Sequence, residues 1–142
     1  MVAFSELYDR RADYVFYMCS RLEMDEDAAF HLNQDVWRRV YRQIPQLRGS
    51  KEEHWLCSKI IDSHRKYHSR VGERSTMGSG TILEQALMGL ALEDRWPLVL
   101  KEFAGFSYTE IGDILNVPEG TVKARIARAR GRVRRFREEF QS

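Results

Sequence analysis

Cysteine is scarce in this 142-residue chain: Cys19 and Cys57 are the whole complement. They stand far apart without a C-x-x-C spacing, so neither a disulfide framework nor a zinc knuckle is indicated. Long apolar runs are missing too. None approaches the ~18 residues of a membrane span, and the start, MVAFSELYDRR, lacks the apolar core of a signal peptide. Strand signals are few, no glycine loop of the phosphate-binding kind occurs, and no nucleophile stands in a recognisable pairing with a base. Asp and Glu are plentiful but dispersed over helix surfaces. These absences exclude a secreted disulfide scaffold and a membrane span, and they count against an enzyme. The expectation is an all-α, reduced, cytoplasmic protein with no cofactor and no membrane insertion.

What is present is charge, unevenly placed. The formal net charge of +2 says little. Residues 1–74 carry thirteen basic and twelve acidic groups, whereas Lys123 to Arg137 holds eight basic groups and no acid. A concentrated positive field suits phosphate contact, because each neutralised phosphate releases counterions. A chain of 142 residues accommodates one ordinary domain or two very small ones.

Helical periodicity runs through both parts. Phe4, Leu7, Tyr8, Val15 and Met18 share the apolar face of a first helix. Asp25 to Asp27 place negative charge at the start of a second, whose stripe is Val36, Trp37, Val40, Tyr41 and Ile44 and which ends near Pro45. A third helix is expected from about Glu53 to Arg70. Residues 71–82, with Gly72, Gly78 and Gly80, read as a linker. Beyond it, Leu83, Ala86, Leu87 and Leu90 open a second helical group, followed by a helix from about Asp94 to Ala104. The expected organisation is two small helical bundles, 1–70 and 83–142.

The densest signal lies in the second bundle, at Phe106 to Arg137. Ser107 and Glu110 form a Ser-x-x-Glu capping box, and Ile111, Ile114 and Leu115 give the helix after it an apolar face. Asn116-Val117-Pro118 breaks that helix, with Pro118 placed as the first residue of the next. On the next helix Val122 and Ile126 face inward, while Lys123, Arg125, Arg128 and Arg130 point elsewhere. Two short helices, a tight turn and a basic second helix make a helix-turn-helix suited to a DNA major groove.

The segment SYTEIGDILNVPEGTVKARIARAR resembles the C-terminal DNA-binding region of extracytoplasmic-function sigma factors, written S-Y-x-E-I-A-x-I-L-x-x-P-x-G-T-V-K-S-R-x-x-R-A-R. The resemblance implies DNA contact, direct or adjacent, at Lys101, Tyr108, Glu119, Thr121, Lys123, Ala124, Arg125 and Arg128. Position 124 is usually serine in the family. Arginines beyond 128 suit phosphates better than bases.

The segment AFHLNQDVWRRVYRQIPQLRG, 29–49, resembles region two of the same family, with Gln34, Asp35, Trp37, Ile44, Leu47, Arg48 and Gly49 in register. It implies docking on RNA polymerase through His31, Gln34 and Asp35, although His31 stands where the family has an acid. Phe30 is either an exposed contact or a core aromatic. Keeping register from Gly49 aligns Leu56 and Ile60-Ile61 with the family's W-L-x-x-I-A-x-N helix and puts Leu56, Ile60, Ser63 and Tyr67 on one buried face. Trp55, Lys59, Asp62, Lys66 and Arg70 fall on another. That row is either a stacking and phosphate track for single-stranded promoter DNA, or a solvated charged face partly covering Trp55. By resemblance, the loop Arg48 to His54 would hold a flipped promoter base.

His54, Cys57, His64 and His68 line one edge of the third helix, but fourteen residues of helix span about 21 Å. The four cannot share an ion, and the pairs His54/Cys57 or His64/His68 would each need ligands from elsewhere. No metal site is expected. The resemblance as a whole implies a sigma factor with a region 2-like and a region 4-like bundle, whose partners are core RNA polymerase, promoter DNA and an anti-sigma factor. Two rivals stand beside it. One is a sigma-like decoy that binds an anti-sigma factor, favoured by His31 and by a joint of only twelve residues between Arg70 and Leu83. The other is a stand-alone helix-turn-helix regulator.

Overall fold

The structure, a computed structural model, describes residues 3–47, 51–71 and 80–141. Most of the expected linker, 72–79, and Arg48, Gly49 and Ser50 of the expected base pocket lie outside the described residues. The regular structure is helical, with no strand among the described residues. The first group comprises α1 (Phe4–Leu22), α2 (Glu26–Gln43) and α3 (Glu52–Val71), with a 3-10 turn at Ile44–Gln46 closing α2. The second comprises α4 (Ile82–Met88), α5 (Leu92–Glu102), α6 (Tyr108–Leu115) and α7 (Glu119–Gln141).

The helical stripes become the core. Leu7, Val15, Met18 and Leu22 of α1, Leu32, Val36, Trp37 and Val40 of α2, and Leu56, Ile60 and Ile61 of α3 are buried. Each such aliphatic side chain contributes about 1.5–3 kcal/mol relative to exposure. Two expected core residues lie at the rim instead: Tyr8 is 42% and Tyr41 66% exposed. Their rings pack around Phe4 and Trp37, with centroids 5.2 Å apart for Phe4–Tyr41 and 4.8 Å for Tyr8–Trp37. A tyrosine can cover a tryptophan this way while its hydroxyl stays wet. Arg10 and Arg11 on α1 donate to Glu52 and Glu53 at the start of α3, at 3.1 and 2.9 Å. The two acids at the head of α3 thereby neutralise their own bundle's arginines.

Capping chemistry starts the helices of the second group. Thr81 forms a capping box with Glu84, so α4 begins at Ile82, a residue before the expected boundary at 83. Ser107 Oγ accepts from the Glu110 N–H, and Glu110 accepts from the Ser107 N–H, both at 3.1 Å. Those bonds hold the Glu110 carboxyl below the usual carboxylate range. Asn116 closes α6 in the left-handed region, at φ 58° and ψ 47°, where asparagine is tolerated better than most side chains. Pro118 stands one residue ahead of α7, its carbonyl accepting from the Val122 N–H at 3.2 Å. Ser107→Ala is expected to cost about 1 kcal/mol. In a domain of this size that lowers the midpoint of a circular-dichroism melt by about 4–8 °C; an unshifted midpoint would contradict the cap.

One continuous apolar cluster runs through both groups. Where they meet, the Arg95 guanidinium of α5 donates to the Leu22 carbonyl at the end of α1, at 3.2 Å, and to the Met88 and Leu90 carbonyls at 2.9 Å. Trp96 of α5 donates to His64 of α3 at 2.7 Å. At the head of α3, Lys51 pairs with Glu110 at 3.6 Å, and His54 meets Phe106 edge-on at 6.1 Å.

Candidate nucleic-acid interface

Ile111 and Leu115 of α6 and Val122, Ile126 and Ala129 of α7 are buried against one another and the bundle. This fixes how α7 presents its outer side. The Lys101 ammonium lies 4.4 Å and the Lys123 ammonium 5.6 Å from the centroid of the Tyr108 ring. Two cations on one ring gain about 0.5–1 kcal/mol each at such exposed sites, enough to bias them toward one place while their N–H donors remain available. Glu119 pairs with Lys123 at 3.6 Å. The structure therefore brings together Lys101, Tyr108, Glu119 and Lys123, with half-buried Thr121 and exposed Ala124 on the same helix.

Three arginines are placed differently from expectation. Arg125 lines a groove with Arg65, His68, Trp96 and Val117, between the two helical groups. Arg128 and Arg130 turn back to α5 rather than away from the bundle. Arg128 donates to both carboxylate oxygens of Asp94, at 2.9 and 2.5 Å, and Arg130 donates to Glu102. The reason is Asp94, whose side chain is only 2% exposed; a carboxylate so buried needs a counter-charge. Arg132, Arg134, Arg135 and Arg137 remain exposed.

In the first group the aromatic-led row does not survive intact. Trp55 is buried, 7% exposed, with the Lys59 ammonium over its ring at 5.3 Å. Its ring is not open to stack on a base, which corrects that expectation. Lys59 also donates to Gln46 at 3.3 Å. Lys66 and Arg70 line a cleft of about 200 Å³ between α2 and α3 together with Arg38, Arg39 and Arg42. Asp35 accepts from Arg38 at 3.1 Å and from Arg70 at 3.0 Å, and Arg39 donates to Ser63 at 3.1 Å. Five cations around one carboxylate leave surplus positive charge, which favours phosphate oxygens. The arginines on α2 escaped the sequence reading because packing, not spacing, brings them to Lys66 and Arg70. The run Arg38, Arg39, Arg42 on one helix was the available signal. His31 and Gln34 are exposed on α2, and Phe30, at 52%, is a surface aromatic rather than a core one.

A separate cluster lies at the junction of the groups. His64 Nε2 and His68 Nε2 stand 2.7 and 2.5 Å from the same oxygen, Oε1 of Glu23. Because an indole N–H only donates, His64 Nδ1 must accept from Trp96, and its proton sits on Nε2, directed at Glu23. Burial lowers the His64 pKa from its ordinary value, against the opposing pull of Glu23. For Glu23 burial acts the other way, and the bonds and charges of His64 and His68 outweigh it, holding the carboxyl below the usual range. The three ligand atoms lie within 4.8 Å of one another, so Glu23 supplies what the pair His64/His68 lacked in sequence. Yet a metal on His64 Nε2 would send its proton to Nδ1, against the Trp96 N–H. The metal-bound and tryptophan-bound states of His64 exclude one another. Cys57 offers no alternative ligand: burial pushes its thiol up to about 12, and it meets Tyr14 Oη at 3.4 Å.

Fold and surface together define a helix-turn-helix protein with a second, basic-clefted helical bundle attached. Residues 81–133 match the family described as Sigma-70, region 4. The chain is 28% identical over 165 residues to the extracytoplasmic-function (ECF) RNA polymerase sigma factor SigE of Mycolicibacterium smegmatis, covering 100% of this chain but 64% of that protein. It is 29% identical over 164 residues to the ECF sigma factor SigW of Bacillus subtilis, covering 94% of this chain and 88% of that one. The structure of the sigma factor RpoE in complex with the anti-sigma factor NepR from Bartonella quintana shares the fold, with a TM-score of 0.76 over 95% of this chain and 96% of that chain at 22% identity. Residues 81–133 thus match sigma-70 region 4, and nearly the whole chain is similar in sequence to extracytoplasmic-function sigma factors. Among the described residues, no helix is long and apolar enough to cross a membrane.

Proposed function

We propose that this protein is an RNA polymerase sigma factor acting in the cytoplasm, directing core polymerase to promoters whose two elements are read by its two helical groups. The observation that carries the reading is the capped helix-turn-helix whose outer side gathers Lys101, Tyr108 and Lys123, on the segment that matches region 4. The division into 1–70, a linker at 71–82 and 83–142 is part of the proposal, supported by the Thr81 capping box that starts the second group. The Lys66, Arg70, Arg38, Arg39 and Arg42 cleft takes backbone phosphates of the downstream element. Lys59, whose ammonium is shared between the Trp55 ring and Gln46, is the lesser contact to the same strand. Exposed Gln34 and His31 face the polymerase, with Asp35 holding Arg70 in place from the same helix. An anti-sigma factor is the expected regulator, and proteins of this fold are found bound to one.

The decoy reading keeps one observation in its favour: Arg128 and Arg130 are engaged by acids of their own bundle. Nuclease protection of a cognate promoter by this chain with core polymerase separates the two. The sigma reading gives two protected patches, both lost when either component is omitted. A decoy gives none while still binding an anti-sigma factor.

A further inference from the structure

The two helical groups meet through a side chain that has two incompatible partners. His64 is fully buried on α3, its Nδ1 accepting from Trp96 of the second group and its Nε2 donating to Glu23 of the first. Arg95 reinforces the junction by donating to the Leu22 carbonyl. The charged and titratable groups facing His64 are Glu23 from the end of α1, His68 from α3 and Arg95 from α5. Arg65 lies over the far side of Trp96, its guanidinium 5.0 Å from the indole centroid. In this closed arrangement α6 and the turn before it lie against the head of α3, through Lys51–Glu110 and His54–Phe106. That is where the loop expected to receive promoter DNA joins α3.

We propose that Glu23, His64 and Trp96 form a proton-sensitive latch between the two groups, holding a closed form that masks the head of α3 and opening when His64 takes a second proton. The masking consequence rests on the promoter reading above; the latch does not. The proton bookkeeping is simple. Neutral His64 carries its hydrogen on Nε2, so a second proton can enter only at Nδ1. There it faces the Trp96 N–H, and two donors now meet where a donor and an acceptor had met. Charged His64 simultaneously strengthens its pairing with ionised Glu23, a partner within its own group. Acid therefore removes the cross-group bond and rewards the intra-group one.

The sign follows. In the closed form burial keeps His64 below its ordinary value, whereas in an open form solvent reaches Nδ1 while Glu23 remains adjacent. The open form binds the proton more tightly, so the closed form is fully favoured above the ordinary histidine value of about 6.5 and loses ground as pH falls through the lowered one. Each pKa unit separating the two forms shifts their ratio by about tenfold across that interval.

The test uses the full chain in small-angle X-ray scattering between about pH 8 and about pH 5, with circular dichroism alongside to follow helicity. The radius of gyration is expected to rise on acidification while helicity holds. His64→Gln, whose amide can accept from Trp96 and donate to Glu23 without titrating, is expected to stay compact throughout. Trp96→Phe removes both the cross-group bond and the donor that opposes a proton on Nδ1, and is expected to be more open than the parent at about pH 8 and to change less on acidification. Imidazole nitrogen NMR at about pH 8 is expected to show His64 as the Nε2–H tautomer. A radius independent of pH, a His64→Gln variant that opens like the parent, or an Nδ1–H tautomer each overturns the latch. Opening without any promoter-dependent transcript would instead leave the latch standing and remove the promoter reading.

Discussion

Replacing Lys101 and Lys123 together by alanine is expected to weaken binding to the upstream promoter element by about tenfold to a hundredfold and to lower the salt-dependence slope by about two. The two ammoniums bracket the Tyr108 ring from different helices, so the double variant strips positive charge from one surface without touching the core. Folding should be nearly unaffected, because neither lysine is buried. Fluorescence anisotropy against salt concentration reads both effects. An unchanged slope would show that this surface does not meet phosphates, whatever the change in affinity. Arg128→Ala is a poorer probe, since it also strips the counter-charge from buried Asp94 and mixes stability with recognition.

The second large effect is on stability. Ile126 is 1% exposed and packs α7 into its bundle. Ile126→Ala is expected to destabilise by about 2–5 kcal/mol, the lost transfer energy plus the cavity left behind. Small domains have about 5–15 kcal/mol in total, so much of the second group's margin disappears. Denaturant unfolding checks the value. Ala127→Ser on the exposed side of the same turn serves as the comparison and should fall within about 0.5 kcal/mol of the parent. Equal midpoints for both variants would mean that Ile126 does not anchor the helix.

The helix-turn-helix was legible in sequence because its determinants are local. A capping box spans four residues, the Asn116 turn three, and the Val122, Ile126 pair one turn of helix. The first group was legible as helices but not as a surface. A wheel drawn for α3 assigns one buried face, Leu56, Ile60, Ser63 and Tyr67, whereas α3 is packed by α1 and α2 on one side and by the second group on another. Trp55, Cys57, Ile61 and His64 are therefore buried as well. The same limit applies to charge. Arg128–Asp94, Trp96–His64 and His68–Glu23 join residues 34, 32 and 45 positions apart. No spacing rule predicts such pairs, and the arginines that looked free to read DNA include two that hold their own bundle together.

The central claim is that one chain joins polymerase to promoter, and run-off transcription with core RNA polymerase tests it most directly. On a template carrying both elements, the account predicts a transcript of defined start that needs this chain, and that disappears with Lys101 and Lys123 both replaced by alanine. Tight binding to an anti-sigma factor with no promoter-dependent transcript would contradict it.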